Sequence, residues 1–229
     1  METKYKFIID IAGILISSVS LGLLIANQYY VASGVILIVS VALSFLAYLH
    51  FSSKPITQKE VQFEYVIHDS TGQKATAKKI KKLVANERNI TLLVDHNISG
   101  SGSACNFKTN IGEIASVKEV GGNLSVYTAL DVPLEMNKVL EHVVEYEGLN
   151  CFTENRESIT INVTELFKTT CVKVSFPADR KPSQVRALMH YKSRTLDLSQ
   201  KYLTKDSSCY SFTIKKPKPG SLMVLEWDW

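Results

Sequence analysis

From residue 11 to residue 51 this sequence contains no aspartate, glutamate, lysine or arginine. A helix lying on a water-soluble core keeps a polar face, so that stretch excludes an ordinary amphipathic surface helix. Cysteine pairs at metal-ligand spacing are lacking as well. Cys105, Cys151, Cys171 and Cys209 stand far apart and form no C-x-x-C, which excludes a zinc ribbon or a thioredoxin-like motif and leaves free thiols as the expectation. The histidines, His50, His68, His96, His142 and His190, show neither H-E-x-x-H nor H-x-x-x-H spacing, so no helical metal-ligand pair is present. Ser99-Gly-Ser-Gly-Ser103 is glycine-rich but lacks the Lys-Ser/Thr of a P-loop. Neither sign of charge dominates: 26 basic against 22 acidic residues give a formal +4, too weak to argue for a DNA or RNA polymer as partner. Asp95-His96 is a dyad only along the chain, because strand neighbours point to opposite faces. Glu135, Glu141, Glu145 and Glu147 read as a solvated face. No metal, cofactor or catalytic set emerges, and the expectation is a protein that is not an enzyme.

What is present begins with two apolar runs, about 7–27 and 31–51, split by Asn27-Gln28-Tyr29-Tyr30. Each has about the 20 residues that a helix needs to cross a hydrocarbon core of roughly 30 Å. The expectation is a two-helix transmembrane hairpin over 1–53. A cleaved signal peptide fits less well, since the run is too long and a second span follows at once. Lys4 and Lys6 precede the hairpin, Lys54 and Lys59 follow it, and the turn carries no charge. Positive residues stay inside, so both termini are expected in the cytoplasm of a multi-pass protein. Tyr29, Tyr30 and Tyr48 suit the membrane interfaces. Glycosylation triplets at Asn89, Asn97, Asn123 and Asn162 pull the other way, and the charge bias outweighs them. Small residues four apart, Gly13/Ser17, Ser18/Gly22 and Ser40/Ser44, offer close-packing faces within one hairpin or between copies in a homo-oligomer. Asp10 is the carboxylate inside the first span and a candidate gate.

After Lys54-Pro55 the pattern turns to short alternating runs broken by Gly, Pro, Asn and Asp, and an all-β region is expected over 58–229, either a barrel or an Ig-like sandwich. Val61, Phe63, Tyr65 and Ile67 alternate with polar neighbours, and further runs span 90–94, 124–130, 139–146, 158–163, 166–176, 184–191, 209–214 and 222–227. Met223, Leu225 and Trp227 fall on one strand face and read as core. A subdivision near 150–156 would set off an Ig-like C-terminal unit. Lys74 to Asn86, "KATAKKIKKLVAN", reads as a strand or as a basic helix with Ala77, Ile80 and Val84 on one face, and its surroundings favour strand.

"FPADRKPSQVRALMHYKSR", Phe176 to Arg194, holds the candidate ligand residues Arg180, Lys181, Arg186, Tyr191 and Arg194. Arginines beside an aromatic ring suit an anionic planar ligand, through bidentate phosphate contacts and stacking. In layout, hairpin first and β-rich region after, the chain resembles the two-transmembrane, β-strand-rich effectors of bacterial anti-phage signalling of the CBASS type. The resemblance implies a cyclic oligonucleotide ligand, self-association and disruption of the bacterial inner membrane, with the lipid bilayer itself as partner. The expectation of another class is a constitutively anchored β-sandwich adaptor, which holds a protein partner at the inner membrane by strand edges or by the basic loop.

Overall fold

The computed structural model describes residues 35–45, 54–98, 102–120 and 123–229. Helix α1 covers residues 35–45 and carries Ser40 and Ser44 one turn apart. Most of both expected spans, with Asp10, Gly13, Ser17, Ser18 and Gly22, lies outside the described residues. Among those described, no helix is long and apolar enough to cross a membrane. The chain divides between Lys54 and Pro55, and Pro55–Trp229 is one compact unit.

That unit is nearly all strand. β1 (Ile56–Ile67) and β2 (Lys74–Ala85) form an antiparallel hairpin. The Asp69 carboxylate builds the turn by accepting from the backbone N–H groups of Thr71, Gln73 and Lys74 at 2.9, 3.1 and 2.7 Å, an Asx arrangement. Gly72 closes the turn at φ +72°, and a Cβ there would meet the Phe152 carbonyl oxygen at 1.7 Å. Glycine is therefore required on two counts. Lys74 to Ala85 is a strand because its pattern has period two: Ala75, Ala77, Lys79, Lys81, Leu83 and Ala85 are buried while Lys74 and Lys82 are exposed.

The other elements are β3 (Ile90–Ile98), β4 (Ser103–Thr109), β5 (Glu113–Val120), β6 (Asn123–Leu134), β7 (Val139–Leu149), β8 (Arg156–Asn162), β9 (Thr169–Ser175), β10 (Gln184–Tyr191), β11 (Arg194–Asp197), a single helical turn α2 (Ser199–Tyr202), β12 (Leu203–Asp206), β13 (Cys209–Lys215) and β14 (Ser221–Asp228). They make a seven-stranded sheet ordered β12-β13-β9-β1-β2-β7-β4, a four-stranded sheet β11-β10-β14-β8 and a three-stranded sheet β3-β6-β5. β1 pairs with β9 in parallel, so strands from either side of 150–156 share one sheet. The loop there joins β7 to β8 inside one unit.

Both small sheets lie on the same face of the large one. Register proves it: Phe63 faces Lys79 and Tyr65 faces Ala77 across β1 and β2, and directly opposed residues point the same way. Val61 and Ile67 then pack on Met223, Leu225 and Trp227 of the four-stranded sheet. Ala77, Val126, Val144 and Tyr146 build the core under the three-stranded sheet, with Leu83, Leu93 and Leu134 further along. Tyr65 touches both cores. The opposite face of the large sheet is polar, with Glu60–Lys82 at 2.9 Å and Glu64–Lys173 at 3.8 Å paired across strands.

Candidate functional site

The five candidate ligand residues occupy two ends of β10. Arg180 and Lys181 sit in the 176–183 connection before it and Arg186 near its start, while Tyr191 ends the strand about 23 Å from Gln184 at roughly 3.3 Å per residue and Arg194 opens β11 beyond it. Arg180 lies 4.0 Å over the Trp229 ring and donates to the Ser70 carbonyl at 2.8 Å, so it clamps the C-terminus to the β1–β2 turn. Arg186 places a guanidinium nitrogen 2.6 Å from Glu226 on the neighbouring strand. Both arginines are committed to protein groups, and Lys181 is exposed at its loop.

The far end is different. Lys218, in the turn before β14, holds its ammonium 4.2 Å from the Tyr191 ring centroid, and Lys192 approaches the same ring at 5.8 Å. Arg194 pairs with Tyr191 across the β10–β11 hairpin and is exposed. Tyr191 is half-buried while Lys192 and Lys218 are exposed, and cations over a ring at such a surface site contribute about 0.5–1 kcal/mol each. The arrangement can take an anion beside a ring. Lys192 and Lys218 were missed from sequence, although "KKPKPG" before β14 signalled a tight basic turn; it reads first as a strand breaker.

A second constellation lies between the large sheet and the three-stranded one. Asp95 is wholly buried, with Lys79 and Lys81 ammoniums 3.0 and 2.8 Å from one oxygen and His142 Nδ1 3.2 Å from the other. Lys79 also donates to the His96 carbonyl at 2.9 Å. His142 Nε2 lies 3.2 Å from the Thr128 hydroxyl. Burial alone raises the Asp95 pKa, but the two lysine charges and the His142 contact outweigh it and hold the carboxyl far below its ordinary range. For Lys81, burial lowers the pKa, Asp95 opposes that and Lys79 adds to it, leaving the amine below its usual value.

Thr128, His142 and Asp95 follow the hydroxyl–imidazole–carboxylate order of a nucleophilic site. All three have zero exposure, so no substrate reaches the hydroxyl, and two lysines occupy the carboxylate. The set is a polar core. The partner of Asp95 is His142 from β7, while the sequence neighbour His96 turns its ring to Ser125 at 3.0 Å. Only β2–β7 pairing, which sets Lys81 opposite His142, could have revealed this.

No family model matches the chain, and no curated protein does. Its shape overlaps part of an M1 zinc metallopeptidase from Deinococcus radiodurans, with a TM-score of 0.44 and 10% identity over 75% of this chain and 42% of that one. It also overlaps a candidate protease from Parabacteroides distasonis, with a TM-score of 0.48 and 8% identity over 78% of this chain and 41% of the other. The chain spans less than half the length of either. Likeness at this level carries no argument about zinc or peptide hydrolysis.

Proposed function

We propose that this chain is a membrane-anchored recognition module, held by a two-helix hairpin over residues 7–51, whose β unit works in the cytoplasm by binding a protein segment and not by chemistry. One observation carries the reading: among the described residues, no strand pairs with the outer edge of β8. Val163 N–H bonds to the Ser221 carbonyl at 2.9 Å and Trp229 N–H to the Asn155 carbonyl at 3.0 Å. Odd-numbered residues of β8 therefore bond to β14, and the backbone groups of Ser158 and Thr160 point outward. Edge strands are ordinarily blunted by lysine, proline or a bulge. β8, "RESITIN", has none of these three; its charges, Arg156 and the inward Glu157, stand at its first two residues, and it pairs with β14 without a register shift. Such an edge suits an added strand.

A photo-crosslinking residue at Thr160 tests this in intact membranes. The reading expects a discrete adduct that disappears in the Ser158→Pro chain, since proline blocks an outward N–H without breaking the β14 ladder. An adduct unchanged by Ser158→Pro, or none at all, rejects the edge as the binding surface.

The ligand-triggered effector is favoured by one observation of its own, the Tyr191 ring with Lys192, Lys218 and Arg194 around it. It requires dye release from liposomes holding the chain when a cyclic di- or trinucleotide is added, and loss of release in Lys192→Glu with Lys218→Glu. Charge reversal at Arg180 or Arg186 disturbs structural contacts instead and does not report on a ligand.

A further inference from the structure

A cluster of exposed basic side chains gathers at one end of the β unit, and it is the end at which the chain enters from its apolar segment. β1 starts there with Lys59, and β9, parallel to it, follows directly on Lys168, whose N–H bonds to the Lys59 carbonyl at 2.6 Å. β13 is antiparallel to β9 and brings Lys215 and Lys216 to the same end. The next turn adds Lys218, and Tyr191 opposite Ser221 places the Lys192–Arg194 hairpin tip beside it. All of these cations are exposed. The carboxylates at this end are Glu60, which lies 2.9 Å from Lys82 and 3.8 Å from Lys168, and Glu87, Asp131, Glu135, Glu141 and Glu165, fewer than the cations. The opposite end mixes signs, with Asp69, Asp179 and Asp228 among Arg156, Arg180 and Lys181.

Bare apolar side chains stand among the cations. Leu166, in the loop before β9, is 76% exposed; Val139 and Met136, at the β6–β7 tip, are 66% and 50% exposed. Two of the lysines, Lys192 at φ +54° and Lys216 at φ +50°, take the left-handed conformation that glycine or asparagine fills at less cost. Long cationic side chains thus occupy turn positions where local backbone preference disfavours them.

We propose that this end docks on the anionic headgroup layer of the bilayer, with the lysines on lipid phosphates and Leu166 and Met136 entering the interface. The inference rests on residues 7–51 being in the membrane. The apolar run ends at residue 51 and β1 begins at Ile56, a reach of no more than about 18 Å at roughly 3.6 Å per residue. The anchor therefore keeps the basic end within about two Debye lengths of the headgroups. Each lysine near such a surface changes association about fivefold. Held this way, the unit stands with β1 rising from the membrane and the Arg180–Trp229 end turned to the cytoplasm.

The test is hydrogen exchange on the full chain in nanodiscs of zwitterionic lipid and of the same lipid with one-third phosphatidylglycerol. The expected result is slower exchange at 135–139, 164–168, 191–194 and 215–219 in the anionic discs only, reversed by high salt, with 69–73 and 178–182 unchanged. Lys192→Asn with Lys216→Asn should lose that protection with no loss of thermal stability. Equal exchange in both lipids overturns the docking, as does protection of these tips by a cyclic dinucleotide in zwitterionic discs. Alkaline carbonate extraction of the same membranes separates the premises: release of the chain rejects the anchor, and binding of the released chain to anionic vesicles still decides the basic end.

Discussion

Asp95 is the anion for two buried ammonium groups, and its removal leaves both in the core without a counter-charge. Breaking a buried pair on one side costs about 3–5 kcal/mol, whereas replacing the whole set by apolar residues of similar volume is close to neutral. Asp95→Asn should therefore lower the unfolding free energy by about that amount, and Asp95→Asn with Lys79→Met and Lys81→Met should recover most of it, read by urea denaturation of residues 54–229. The pH dependence has two signs. The folded Asp95 carboxyl lies below its ordinary 3.8, so its stabilisation is complete above that pH and erodes as pH falls toward the lower folded value. The folded Lys81 amine lies below its ordinary 10.5; the unfolded chain holds more protons in that window, so stability rises with pH up to about 10.5. Urea midpoints of Lys81→Met should lack the alkaline rise.

At the scale of strands, period two made much of the fold legible. Val61 and Ile67 are buried as their alternation requires, and Met223, Leu225 and Trp227 are at most 1% exposed. Trp227 packs against Phe152, Phe176 and Trp229, so Trp227→Ala should cost about 3–5 kcal/mol, against a change near zero for the exposed Val132→Ser. β4, β5, β11 and β12 escaped sequence reading for a physical reason. They are edge strands whose described side chains are half-buried or exposed, and those of β11 are all exposed, and the apolar pattern reports burial more than pairing. β2 carried the alternation, but lysine at two inward positions disguised it, because charge reads as surface until a partner is known. The same limit hid the polar core, since Asp95 and His142 are joined by register and not by spacing. The edge of β8 makes its own prediction: Thr160→Pro should leave stability unchanged, while Ile161→Pro, which removes a ladder bond to β14, should lower it by at least about 1 kcal/mol. Denaturation midpoints of the two variants decide between outward and inward backbone.

For the whole molecule, one seven-stranded sheet carries two smaller sheets on one face, and its basic end is continuous in sequence with an uncharged apolar segment. The candidate ligand residues were legible as types and not as a set, because β10 separates them by its full length. In the proposed reading, anchoring would fix which end meets lipid and which faces the cytoplasm. Membrane-impermeant thiol labelling in intact bacterial cells tests that directly, using a chain with Gln28→Cys. The four native cysteines lie in the β unit and are not joined in disulfides. The hairpin predicts that Cys105, Cys151, Cys171 and Cys209 stay unmodified until the cells are permeabilised, while position 28 labels from outside. Labelling of the native cysteines in intact cells, with position 28 protected, would contradict it.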